Sequence, residues 1–283
     1  PILDVVGKSN MGGNLVVLNK SKSSIAEAFR IIRAGLQFIY KKQGVEGTKT
    51  VLVTSSVSGE GKTFCSINLA TVFALSEKKT VIVGLDLRKP RIFGDFNIDN
   101  ITGVVNYLIG QKTLDEVTQS THIPYLDLIS SGPIPPNPAE LLMGDSMSDM
   151  IEELKLKYDY IILDTPPVGL VSDAMELLEY VDASLYVVRQ DYTKKGMLNF
   201  INEKHKTKQI KNISLIYNGY DQKAKYGYGY GYGYGYGYGY GNYANGYHDE
   251  GKLKSSLLTK FKNIFKVKVG NTYSDILIIH KKL

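Results

Sequence analysis

The chain has 283 residues and a formal net charge of +6, with one cysteine and four histidines. A lone Cys65 excludes an internal disulfide framework, the scattered His122, His205, His248 and His280 lack the spacing of a metal site, and no stretch reaches the roughly 18–20 apolar residues that span a bilayer. The basic character is local: the segment from Tyr226 onward carries +5 of the net charge, so the body before it is nearly neutral and no nucleic-acid partner is expected.

A body of about 220 residues with ordinary apolar content buries one good core, so residues 1–222 are expected to form a single α/β domain. The first element is a helix over "SIAEAFRIIRAGLQF", opened by Ser24 and Glu27 in capping-box spacing. Ile25, Phe29, Ile32 and Leu36 form its apolar stripe, while Glu27, Arg30 and Arg33 recur at three-residue intervals on another face. Taken by itself that charged face reads as solvated and self-paired. Strands are predicted at residues 50–56, 80–86, 126–131, 160–167, 183–190 and 213–219, apolar throughout as strands buried on both faces should be. Helices are predicted between them at 62–76, 146–157, 173–180 and 194–206. Such alternation predicts a mostly parallel sheet flanked by helices, with ligands at the C-terminal ends of the strands.

"SSVSGEGKTF", residues 55–64, stands between the first of these strands and its helix. A glycine-rich turn there aims backbone N–H groups and a helix dipole at one spot, which suits phosphate. Ser58, Gly59, Glu60, Gly61 and Phe64 would line the nucleotide, Lys62 would reach its β- and γ-phosphates, and the Thr63 hydroxyl would ligate magnesium. Ser56 replaces the first glycine of the strict pattern. "YIILDTPP" places Asp164 at a neighbouring strand tip, where a carboxylate orients magnesium or its water. "VIVGLDLRKPR" brings Asp86 out of a third strand, either toward the same metal or as a partner for Arg88 or Arg91. Asn218 ends the last strand, placed to read an adenine edge or to form a turn.

Past residue 222 the composition changes. Between Lys225 and Asn242 each of Tyr226, Tyr228, Tyr230, Tyr232, Tyr234, Tyr236, Tyr238 and Tyr240 is followed by glycine, with Tyr243 and Tyr247 close behind. Glycine at every second position maximises the entropy lost on ordering, so residues 223–250 are expected to be a disordered tail, which could self-associate through its aromatic rings. Residues 251–283 open with "KLKSSLLTKFKNIFKVK", which puts Leu253, Leu257, Leu258, Phe261, Ile264 and Phe265 on one helical face and Lys254, Lys260, Lys262 and Lys266 on the rest. This reads as a membrane-surface anchor, a partner-docking helix or a final helix packed on the body.

The combination of "SSVSGEGKT", "VIVGLDLRKP", "YDYIILDTPPVGLVSDA", "EAFRIIR" and a terminal tyrosine cluster resembles the cytoplasmic domain of the bacterial tyrosine kinases of polysaccharide export. The resemblance covers roughly residues 14–219 and the tyrosine tract. It implies a P-loop NTPase fold of the MinD/ParA-like class, ATP and Mg2+ as cofactors, and catalysis by Lys62, Asp86 and Asp164, with Thr63, Asp86 and Asp164 at the metal. It also implies a ring, an octamer in the family, assembled through Glu27, Arg30 and Arg33. Each subunit would phosphorylate the tail tyrosines of its neighbour. The expected partners are a transmembrane polysaccharide co-polymerase, fused or separate, and a cognate tyrosine phosphatase, at the cytoplasmic face of the plasma membrane. Because the chain begins at Pro1 it is expected to be part of a longer membrane protein. The related partition ATPases usually carry a signature lysine early in the loop, where Val57 and Ser58 stand here. One departure concerns the second acidic box, which usually holds two aspartates one residue apart: Gly84 stands at the first position, leaving Asp86 to accept or steer the tyrosine proton, or else leaving an inert scaffold.

Overall fold

The computed structural model describes residues 1–9, 12–168, 173–207, 209–210 and 212–221. The expectations for the tyrosine tract and the basic segment after it lie outside the described residues.

Every predicted strand forms: β2 (Lys49–Ser55), β3 (Thr80–Gly84), β5 (Leu126–Ile129), β6 (Tyr160–Asp164), β7 (Ala183–Arg189) and β8 (Ile213–Tyr220). Two more, β1 (Ile2–Gly7) and β4 (Gln119–Ser120), were not anticipated. Strand β1 is mostly half-buried and β4 has only two residues, so neither leaves a strong pattern. The eight strands form one sheet in the order β1-β8-β7-β2-β6-β3-β5-β4, parallel at every pairing except β4 with β5.

The central strands are apolar throughout because their two faces feed different cores. Val51 and Val53 join one hydrophobic cluster and Leu52 the other; Ile82 and Ile162 likewise oppose Val81, Val83, Ile161 and Leu163. Strand β8 departs from the expectation of burial on both faces, since its residues alternate between buried and half-buried. Helices α1 (Ser24–Gln43) and α2 (Lys62–Ala74) cover the first face. Helix α3 (Asp145–Lys155) covers the second with Met147, Met150, Ile151 and Leu154, and α4 (Lys195–Lys206) seats Ile201 against Tyr186 and Val188 of β7. Phe73 of α2 stacks on Tyr160 of β6, ring centroids 3.8 Å apart, a contact worth about 1 kcal/mol beyond its buried area. The helix predicted at 173–180 is a short α-turn, Asp173–Glu176, running into a 3-10 turn, Leu177–Tyr180.

Helix α1 buries Ile25, Phe29, Ile32 and Leu36 as its spacing predicts, but its start differs. The cap is Ser23, whose Oγ accepts the Ala26 N–H at 3.2 Å, and Ser24 is the first helical residue. Glu27 therefore sits one position too late to close a capping box and pairs instead with Arg30 at 2.8 Å. Arg33 reaches across to α2, donating to the Val72 carbonyl at 2.8 Å and to the Ser76 hydroxyl.

Candidate nucleotide site

Strand β2 runs buried to Ser55, and the chain then turns through residues 56–61 before α2 starts at Lys62. Gly59 and Gly61 hold φ of 88° and 98°, conformations open to glycine and strained for other residues. Ser56, standing where the strict pattern has glycine, turns its hydroxyl away from the loop's concave face and shares a 2.6 Å hydrogen bond with the buried Tyr186 phenol. The substitution is accommodated by a partner on β7, 130 residues away in sequence. Glu60 is wholly buried, and its carboxylate accepts the Val57 N–H at 2.8 Å and the Thr193 hydroxyl. Only its backbone is left to meet a ligand.

Asp164 ends β6 at the register of Val53 on one side and Gly84 on the other. Its Oδ2 accepts the Thr63 hydroxyl at 2.8 Å and its Oδ1 the Ser66 hydroxyl at 3.0 Å. Burial pushes the Asp164 carboxyl up to about 6, against the pull of Thr63, Lys62 and Ser66, and the Asp86 charge adds to the rise. Lys62 is nearly buried, and desolvation lowers its pKa while Asp164, Asp86 and Glu60 resist. The ammonium and the carboxylates thus sense one another in a partly dry site. Ser66 was not singled out from the sequence, although it follows Thr63 by one helical turn and shares its face. Cys65 lies beside them, buried, its thiol pushed far up by desolvation and so held as the poorly nucleophilic thiol.

Asp86 lies two residues past the end of β3, half-buried, with Oδ1 accepting the Lys89 N–H at 3.1 Å. It bounds an open cleft of about 570 Å³ together with Ser58, Gly59, Gly61, Lys62, Thr63 and Phe64, faced by Lys89, Arg91 and Phe93. Gly84 is walled in: a Cβ built there would meet Ser131 Oγ at 3.1 Å, Ile92 Cγ2 at 3.2 Å and the Ser131 nitrogen at 3.3 Å, and Ser131 Oγ donates to the Gly84 carbonyl at 2.7 Å. The first acidic position is crowded, so a side chain there requires Ser131 or Ile92 to give way by a few tenths of an ångström.

Of the other expected residues, Asn218 does not line the cleft; its side-chain nitrogen donates to the Glu60 carbonyl at 2.9 Å, so that amide is engaged by the loop. Glu27, Arg30 and Arg33 lie on α1 away from the cleft. The oxygen-only donors Thr63, Asp86 and Asp164 suit a hard cation such as Mg2+, and the glycine-rich loop with Lys62 suits the phosphates it would accompany. Among the described residues no group of three or more His, Cys, Asp or Glu side chains could hold a metal ion.

A family model described as an AAA domain matches residues 48–216. The tyrosine-protein kinase YwqD of Bacillus subtilis is 35% identical over 221 residues, covering 77% of this chain and 92% of that protein. A putative tyrosine-protein kinase in the cps region of Klebsiella pneumoniae is 36% identical over 71% of this chain, which is 28% of its own length. Among solved structures, the kinase domain of the Escherichia coli tyrosine kinase ETK superposes with a TM-score of 0.74 at 29% identity, covering 82% of this chain and 94% of that one. The order of the sheet, the loop after β2 and these likenesses agree: the chain belongs to the bacterial tyrosine-protein kinases, enzymes built on the MinD/ParA-like P-loop fold.

Proposed function

We propose that the enzyme transfers the γ-phosphoryl group of ATP to the tyrosines of the Tyr-Gly tract on a neighbouring copy, within a ring oligomer that controls polysaccharide synthesis and export. The observation that carries the reading is where the body ends. Asn218, which contacts the nucleotide loop at Glu60, lies two residues before the last residue of β8, Tyr220, so the chain leaves the sheet at the strand ends that carry the nucleotide loop. A flexible tail of about 20 residues spans roughly 25 Å, enough to reach an adjacent subunit's cleft.

In this reading Lys62 neutralises phosphate charge, Asp86 accepts the phenolic proton as the tyrosine oxygen bonds to phosphorus and the bond to the ADP oxygen breaks, and Asp164 holds the Thr63 hydroxyl in place. Mg2+ would be held by Thr63, Asp86 and Asp164 and would neutralise charge on the β- and γ-phosphates. Alternating glycine lets whichever tyrosine is next enter without sequence readout. A ring through Glu27, Arg30 and Arg33 and a membrane-spanning co-polymerase as activator complete the proposal, and the Klebsiella pneumoniae relative of the cps region supports the polysaccharide context. Among the described residues no helix is long and apolar enough to cross a membrane.

The test mixes a full chain carrying Lys62→Met with a chain truncated after Gln222. Phosphate on the tyrosines of the inactive partner shows transfer between copies; an unlabelled tract on that partner, under conditions where the full chain with Lys62 labels its own tract, rejects it.

A further inference from the structure

The geometry points to Arg189, Tyr192 and Asn218 as positioning residues that hold the nucleotide loop in its anion-binding conformation, an inference that rests on the loop's role as the phosphate site. The three side chains come from the ends of β7 and β8 and the turn between β7 and α4, and they take three consecutive loop carbonyls. Tyr192 Oη donates to Ser58 O at 2.9 Å, Arg189 Nη1 to Gly59 O at 2.7 Å and Asn218 Nδ2 to Glu60 O at 2.9 Å.

A trans peptide is planar, with its C=O and N–H pointing in opposite directions. Drawing the carbonyls of residues 58, 59 and 60 toward the clamp therefore turns the N–H groups of Gly59, Glu60 and Gly61 the other way, as a phosphate cradle requires. The clamp also explains two bare Cα atoms. A Cβ on Gly59 would come within 2.7 Å of the Tyr192 hydroxyl, and one on Gly61 within 2.1 Å of Asn218 Nδ2.

The clamp is itself braced. The Arg189 guanidinium lies 5.3 Å from the centre of the Tyr192 ring. The Arg189 N–H donates to Thr193 Oγ1 at 2.9 Å, and the same hydroxyl donates to the Glu60 carboxylate. The turn is closed by Tyr192 and Thr193 N–H groups on the Arg189 carbonyl, at 3.3 and 3.0 Å. Arg189 and Tyr192 are exposed, so little core depends on them, whereas Asn218 is buried. In this sequence no motif marks Arg189 or Tyr192, and Asn218 stands out only as a strand-end residue, because the clamp is assembled from positions 130 or more residues from the loop carbonyls they hold.

Tyr192→Phe keeps the ring and removes only the donor; Arg189→Met keeps an apolar stem and removes the guanidinium. Affinity for MgADP is measured by calorimetric titration on the full chain, with Lys62→Met as the reference for loss of the phosphate site. Each of the two variants is expected to bind about three- to tenfold more weakly, and the pair more weakly than either. The KM for ATP in tyrosine phosphorylation should rise by a similar factor while kcat changes by less than about twofold, because bound phosphates hold the loop once they are in place. A merely structural role would not divide KM from kcat. Wild-type affinity in both variants, with binding lost in Lys62→Met, overturns the clamp and leaves the nucleotide site standing. A fall in kcat at unchanged KM also overturns it. Failure of the wild-type chain to bind MgADP removes the nucleotide reading and the clamp with it.

Discussion

The Thr63 hydroxyl donates to Asp164 at 2.8 Å, joining the first turn of α2 to the tip of β6 across 101 residues of sequence. This bond, with that of Ser66 at 3.0 Å, holds a carboxylate in a place where burial raises its proton affinity. The site is built for charge at the expense of stability.

Asp164→Asn should therefore abolish tyrosine phosphorylation and stabilise the metal-free fold. A carboxyl raised from 3.8 to about 6 destabilises the folded state once ionised, so its penalty is absent below about pH 4 and full above about pH 6. Asparagine loses one accepted hydrogen bond, leaving a net gain of about 1–2 kcal/mol at pH 8 and none at pH 4. Urea unfolding without nucleotide or magnesium at the two pH values measures it; a gain that does not depend on pH would contradict the origin in burial.

Lys62→Met removes the cation that faces the phosphates. Phosphorylation should fall by about 10²–10³-fold or more, as when a charge-stabilising donor is deleted from a transition state. The ammonium is nearly buried and disfavoured there, so the melting temperature should hold or rise. Intact mass after incubation with ATP and magnesium reports the first effect and calorimetry the second.

Restoring the missing acid should fail. Gly84→Asp presses its Cβ against Ser131 and Ile92, and overpacking of this kind costs about 1–3 kcal/mol. The variant should be less stable and no more active than the parent, whereas Asp86→Asn should lose most activity. A more active Gly84→Asp enzyme would show that the wall yields and that the first acid was wanted.

Arg33 separates assembly from stability on α1. Its hydrogen bonds to the Val72 carbonyl and Ser76 finish the C-terminal end of α2, so Arg33→Ala should cost about 1–2 kcal/mol. Glu27 and Arg30 form an exposed ion pair, and Glu27→Ala with Arg30→Ala should cost less than about 1 kcal/mol. If α1 carries the ring, this double variant sediments as a folded monomer; a wild-type chain that is monomeric at high concentration before phosphorylation would refute the ring itself.

What the amino-acid order determined alone was whatever local spacing encodes. Apolar runs of strand length alternating with helical periods specified the parallel sheet. The glycine-rich turn before Lys62 and Thr63 located the loop. Asp86 and Asp164 were legible as acids at strand ends, because a charge that closes a buried run needs a cation or hydrogen bonds to offset its desolvation. The tertiary structure decided the direction in which each side chain points. Glu60, read as a nucleotide contact, turns inward because its carboxylate accepts the Val57 N–H and the Thr193 hydroxyl. Asn218, placed to read a base, has its amide nitrogen on a loop carbonyl. Ser56 is tolerated because Tyr186 stands opposite, Gly84 is crowded by Ser131 and Ile92, and the helix cap moves from Ser24 to Ser23 because only Ser23 has the extended backbone a cap requires. Apart from the cap, these outcomes depend on partners brought together by folding, and neither propensity nor motif carries information about a neighbour that lies far along the chain.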